Sequence, residues 1–106
     1  MKIYNTEFLG EQCGIIGSPI KIARAQTTKV LDGETHHYHK TGTEYYIVIN
    51  GSMKMRVNDK LVTLNAGQMM ELPPQEPHGI EEILDFCDYL VVNTVSDPLD
   101  KIVLNY

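Results

Sequence analysis

The sequence predicts an all-β fold, a sandwich or a barrel with few or no helices. Two observations carry that expectation. Short runs rich in Val, Ile, Leu and Tyr recur along the chain, separated by Gly, Asn and Asp at turns. No segment combines the length and the 3.6-residue period of a long amphipathic helix. The 106 residues suit one domain, with an N-terminal arm over about residues 1–18 and a C-terminal tail over about residues 96–106.

In the arm, Ile3, Tyr4, Phe8, Leu9, Ile15 and Ile16 are interrupted by Gly10, Gly14 and Gly17, which reads as irregular chain or a short edge strand. Pro19 has no N–H to give a central ladder, so the first full strand is expected after it, in Ile20–Ala25. Asp32-Gly33 marks a turn. Thr35–Lys40 is the next strand, closed by a turn at Thr41-Gly42-Thr43. Glu44–Ile49 is β-branched and aromatic and gives a strong strand signal. Asn50-Gly51 is the clearest hairpin turn in the sequence, because both residues tolerate positive φ. Met53–Val57 is then the return strand, with Met53, Met55 and Val57 on one face. Asn58-Asp59-Lys60 turns the chain into the short strand Leu61–Leu64, and Ala66-Gly67 turns it again. Residues 68–72 run extended into Pro73-Pro74, which stiffen the approach to His78. The acidic stretch Glu81–Asp85 reads as a loop and Phe86–Val95 as the final strand. The tail is expected to cover an edge or meet a partner.

Composition excludes several functions. The net charge is -5, the pI is about 5.2, and Lys and Arg form no local cluster, so a nucleic-acid surface is not expected. The chain lacks an apolar run long enough to cross a bilayer, and Met1–Glu7 lacks the apolar core of a signal peptide. A cytoplasmic protein that does not engage membranes is expected. Cys13 and Cys87 have no Cys or His at ligand spacing and read as small buried thiols.

The chemistry concentrates in residues 36–44 and at His78. Side chains alternate along a strand, so His37 and His39 share a face while His36, Tyr38 and Lys40 take the other. Glu44 arrives from the next strand and can close with both imidazoles on one cation. Taken alone, His-x-His is an ambiguous signal, because histidines on a strand are often solvated surface residues. His36 is read as a surface or interface residue. Tyr46 and Val48 share the parity of Glu44 and point the same way. Tyr46 either fills the core or turns its hydroxyl to a ligand; it is the single catalytic candidate. Met53, Met55 and Met69 or Met70 are read as interior filling, and Glu82 as a solvated carboxylate.

The segment His37-x-His39-x4-Glu44-x6-Gly51 resembles the first motif of the cupins, and Gly67-x5-Pro73-x4-His78 resembles the second. The resemblance covers the centre of the chain. It implies a double-stranded β-helix, the jelly-roll barrel, with one divalent transition metal held inside by His37, His39, Glu44 and His78. Iron, manganese, nickel, cobalt, copper and zinc all accept that ligand set. A divalent ion and one carboxylate leave a net charge of +1 (+2 less 1) with the imidazoles neutral, and room for water or substrate. Three positions depart from the family pattern. Leu31 stands where the first motif usually opens with Gly, and Gly33 would serve that turn. Gln75 stands where the second motif usually has Gly, and Glu82 where it often has Asn.

The reading that follows is a small metal-dependent enzyme acting on an oxygen-rich small molecule. Sugar or sugar-acid isomerases and tautomerases, and dioxygenases of enols or diketones, are the classes the resemblance implies. The alternative is a non-catalytic module that binds or senses a small ligand. A purely structural barrel ranks last, because it leaves four intact ligand types unexplained. A homodimer is expected, through the arm or through Ile102-Val103-Leu104.

Overall fold

The computed structural model describes residues 1–4, the backbone of 6–9 and 12–15, and residues 19–104. Its strands are β1 (Thr6–Leu9), β2 (Gln12–Ile15), β3 (Lys21–Thr27), β4 (His37–His39), β5 (Glu44–Val57), β6 (Lys60–Asn65), β7 (Met69–Leu72), β8 (His78–Asn93) and β9 (Lys101–Val103). A 3-10 turn, Pro98–Asp100, precedes β9. Every pairing between the described strands is antiparallel. The all-β jelly-roll expectation holds.

Two long strands organise the barrel. β5 and β8 pair along nearly their whole length, from Glu44↔Asn93 to Val57↔His78. The far edge of β5 takes β7 against its first half and β6 against its second. The far edge of β8 takes β3, which is followed outward by β2 and β1. β4 touches β8 at His37↔His78 and is covered on its other side by β9. Tyr46, Val48, Met53, Met55, Leu72 and Tyr89 are buried between these layers. No helix of the described residues is long and apolar enough to cross a membrane.

The structure corrects three expectations. Asn50-Gly51 is not a hairpin turn. β5 runs straight through it because β8 pairs on both sides, and the two residues absorb register shifts as a bulge. Gly51 sits at φ 80, and a Cβ there would run into the Phe86 carbonyl, so the glycine serves the bulge instead of a turn. The real two-residue hairpin lies at Asn58-Asp59, between Val57 and Lys60.

Glu81–Asp85 is not a loop but the middle of β8. Lys54 pairs Glu82 and Met55 pairs Ile80, so Glu81 is skipped in the ladder. That skip turns both Glu81 and Glu82 to solvent while Ile80 and Ile83 stay buried, which hides the strand alternation in the sequence. Phe86–Val95 is therefore neither separate nor final: β8 ends at Asn93 and β9 follows. The arm holds two short strands, β1 and β2, paired with each other and with β3 at the edge of the sheet, which agrees with the edge-strand reading, and Gly14 lies within β2. Met53 and Met55 are inside as expected, Met70 is partly buried against the core, and Met69 is exposed.

Candidate metal centre

Three strand starts deliver the cluster. β4 alternates as its parity predicts, burying His37 and His39 and leaving Tyr38 half-buried. Glu44 is the first residue of β5 and His78 the first of β8; both are buried. His37 and His78 are paired across strands, which puts their ring centroids 4.4 Å apart. One ligand atom from each of His37, His39, Glu44 and His78 lies within 4.8 Å of all the others. The structure thus brings together all four residues that the sequence singles out.

The three imidazoles converge on one carboxylate. Glu44 Oε1 lies 2.6 Å from His78 Nε2 and 3.2 Å from His37 Nε2, and Glu44 Oε2 lies 3.2 Å from His39 Nε2. The opposite ring nitrogens explain what the Nε2 atoms can do. His37 Nδ1 meets the Thr35 carbonyl at 2.6 Å and His78 Nδ1 meets the Glu76 carbonyl at 2.8 Å. A carbonyl only accepts, so each Nδ1 carries the proton, and a neutral ring keeps a lone pair on Nε2. A carboxylate only accepts too. Lone pairs and carboxylate oxygens therefore face one another, and either protons or a cation must occupy the space between them. Three imidazoles and one carboxylate, all buried, suit a divalent transition metal. The residues present fit such an ion.

Electrostatics agrees. Burial pushes the Glu44 carboxyl up, but the facing imidazoles of His37, His39 and His78 outweigh it and hold the carboxyl far below the usual carboxylate range. Burial lowers the His37 imidazole, with Glu44 opposing. The Cys87 thiol is buried and pushed up to about 11, which leaves it an inert filler as expected. The side chain of Cys13 lies outside the described residues.

Tyr46 is fully buried, with its ring 5.8 Å from that of His78. Its hydroxyl donates to Glu34 Oε2 at 2.9 Å. Burial and the charge of Glu44 raise the Glu34 carboxyl above the usual carboxylate value, and the Tyr46 hydrogen bond only partly opposes them. Glu34 escaped the sequence reading, although it directly follows the Asp32-Gly33 turn. Asp100 escaped as well. It is buried, lies 3.6 Å from His39 Nδ1, and accepts from Thr41 N, Thr41 Oγ1 and Gly42 N at 2.9, 2.8 and 3.0 Å. Nothing near Asp100 in sequence signals that role.

The remaining candidates fall elsewhere. His36 is half-buried and lies in the bend just before β4, and Glu82 is exposed. Gln75 takes φ 68, the left-handed backbone that favours glycine, and its N–H donates to the His39 carbonyl at 2.7 Å. The loop keeps a glycine-like shape with a bulkier residue. Gly33, at φ 91, serves the turn before the His strand.

A family model described as "Cupin domain" matches residues 27–84. Comparison with curated proteins finds no significant sequence match. Solved structures do match. A Streptomyces protein, PAC13, in complex with uridine superposes with a TM-score of 0.71 at 13% identity, over 97% of this chain and 86% of that one. It is described as a nucleoside dehydratase. A cupin protein from Bacteroides fragilis matches at a TM-score of 0.68 and 15% identity, over 100% and 92% of the two chains. Oxalate decarboxylase from Bacillus subtilis matches at 0.67 and 15%, over 95% of this chain but 30% of its own length. Likeness at these identities is a likeness of fold.

Proposed function

The chain is a member of the cupin family, and from that premise we propose that it is a small metal-dependent enzyme that moves protons on an oxygen-rich small molecule. His37, His39, Glu44 and His78 would hold one divalent transition metal. The observation that carries the reading is the convergence of three Nε2 atoms on Glu44, with the Nδ1 atoms of His37 and His78 committed to backbone carbonyls. A bound divalent ion supplies Lewis acidity to a substrate oxygen or to water.

The chain supplies the proton handling. A carboxyl raised above its ordinary value by burial and a neighbouring carboxylate suits an acid or base, and Glu34 is such a group. Tyr46 holds it in place through the 2.9 Å hydrogen bond and stands between it and the His78 ring. Burial of Tyr46 and the four clustered residues keeps bulk water away from the reacting groups. This pair favours an isomerase or tautomerase reaction, which must relocate a proton, over dioxygenase chemistry, which does not need it. Two structural neighbours act on a nucleoside and on oxalate, both oxygen-rich, which supports the substrate class.

The test is turnover in deuterated water by protein loaded with iron, manganese, nickel or zinc, offered sugars, uronates and diketones. The expected result is deuterium incorporated into at least one compound, and its loss in Glu34→Gln. A compound that stabilises the protein without exchange or product would instead favour the binding-module reading. The same reading includes a homodimer, supported by Val103, which is exposed on the edge-covering strand β9. A monomeric mass at micromolar concentration would refute that part.

A further inference from the structure

β9 pairs the whole of β4, with His37↔Val103, Tyr38↔Ile102 and His39↔Lys101. Backbone bonds tie the ends of that pairing: Lys40 N donates to Asp100 O at 2.9 Å and Leu104 N to His36 O at 3.0 Å. The strand carrying two clustered histidines is thus clasped by a segment some sixty positions later in the chain, and that segment brings Asp100 with it.

His39 needs what Asp100 offers. Unlike His37 and His78, it has no carbonyl on Nδ1, and neither of its ring nitrogens makes a hydrogen bond although both are buried. Its ring lies between two carboxylates, Glu44 Oε2 at 3.2 Å from Nε2 and Asp100 Oδ2 at 3.6 Å from Nδ1. Asp100 cannot swing away, because Thr41 and Gly42 hold it through three hydrogen bonds. Gly42 leaves the necessary room: a Cβ there would press on Asp100 Oδ2 and Asn93 Oδ1. An imidazole whose far nitrogen faces an anion is a better donor of its Nε2 lone pair and keeps its Nδ1 proton.

We infer that Asp100 is a positioning residue for His39, so that docking of the segment from Asp97 to Leu104 and binding of the metal are coupled. The inference rests on the metal reading above. By linkage, whatever docking adds to metal affinity, the metal adds to docking.

Titration with cobalt(II), followed by visible absorption and by zinc competition, tests it. Asp100→Asn is expected to weaken binding by about 10- to 100-fold, the usual effect of losing an outer hydrogen-bonding partner, and to shift the cobalt bands. Leu99→Ala trims an exposed side chain on the same segment and leaves Asp100 and the bonds that hold it in place; it is expected to leave the bands unmoved. Equal affinity and bands in Asp100→Asn and the unsubstituted protein, or the same losses in both variants, would overturn the inference. Should Asp100→Asn not fold, hydrogen exchange in the unsubstituted protein decides. Zinc is expected to slow exchange at the Lys40 and Leu104 amides about tenfold or more, and unchanged exchange with zinc bound would overturn coupling. Unsubstituted protein that takes up neither cobalt nor zinc overturns the metal reading itself, a failure distinct from metal bound equally well without Asp100.

Discussion

His37 and His78 sit on one side of the cluster and His39 on the other, and they are held in different ways. Each of the first two rests its Nδ1 on the carbonyl two residues before it, at 2.6 and 2.8 Å. Their orientation is written into the local chain. His39 has no such carbonyl; the group facing its Nδ1 is a side chain from the far end of the fold, at 3.6 Å. Two of the clustered imidazoles are set by short-range geometry, and the third depends on tertiary closure. The cluster is therefore only as well formed as the docking of the tail.

The comparison can be broken from either side. The largest effect is expected from His78→Ala, which removes a main-chain-anchored imidazole. Metal affinity should fall by more than the roughly 10- to 100-fold typical of outer partners, as read by zinc competition. Next is Gly42→Ala, which touches no clustered residue but crowds Asp100 Oδ2 and Asn93 Oδ1. Overpacking there should cost about 1–3 kcal/mol in urea denaturation and should weaken the His39 side alone, visible as broadening of its imidazole resonances but not of those of His37. Uniform broadening of all three rings would show that the two sides are not separable.

Tyr46→Phe sharpens the same boundary. It removes the donor to Glu34 while leaving every clustered nitrogen in place. A loss of about 1 kcal/mol is expected, with metal content unchanged. The smallest effect is expected from pH. Burial holds the His37 imidazole below its ordinary 6.5, so the unfolded chain takes up that proton more readily than the metal-free fold. The stability this contributes is complete above 6.5 and is lost as pH falls through the lower folded value. Urea midpoints of metal-free protein should therefore fall between pH 7 and pH 5, and a flat profile would deny the asymmetry of burial.

What the sequence made legible follows from range. The parity of His37 and His39, the inward face of Tyr46 and Val48, and the turn at Gly33 are consequences of alternation and of glycine, both local. The cluster was legible because motif spacing fixes which strand starts meet. Asn50-Gly51 misled because positive φ serves a bulge as well as a turn, and only the pairing of β8 decides between them. Glu81-Glu82 misled because a skipped residue in the ladder sends two successive carboxylates outward. Asp100 was invisible because its partners, Thr41, Gly42 and His39, lie about sixty positions away. Gln75 stands where the family pattern has Gly, yet the structure keeps a glycine-like backbone there. That residue departs from the pattern without disturbing the loop that holds His39.

The most direct test of the account is elemental analysis of tag-free protein after exhaustive dialysis, beside His78→Ala. The account predicts close to one iron, manganese, nickel, cobalt, copper or zinc ion per chain in the first and none in the second. No metal in either, even after reloading with each ion in turn, would contradict it: the space between three imidazoles and Glu44 would then be filled by protons alone.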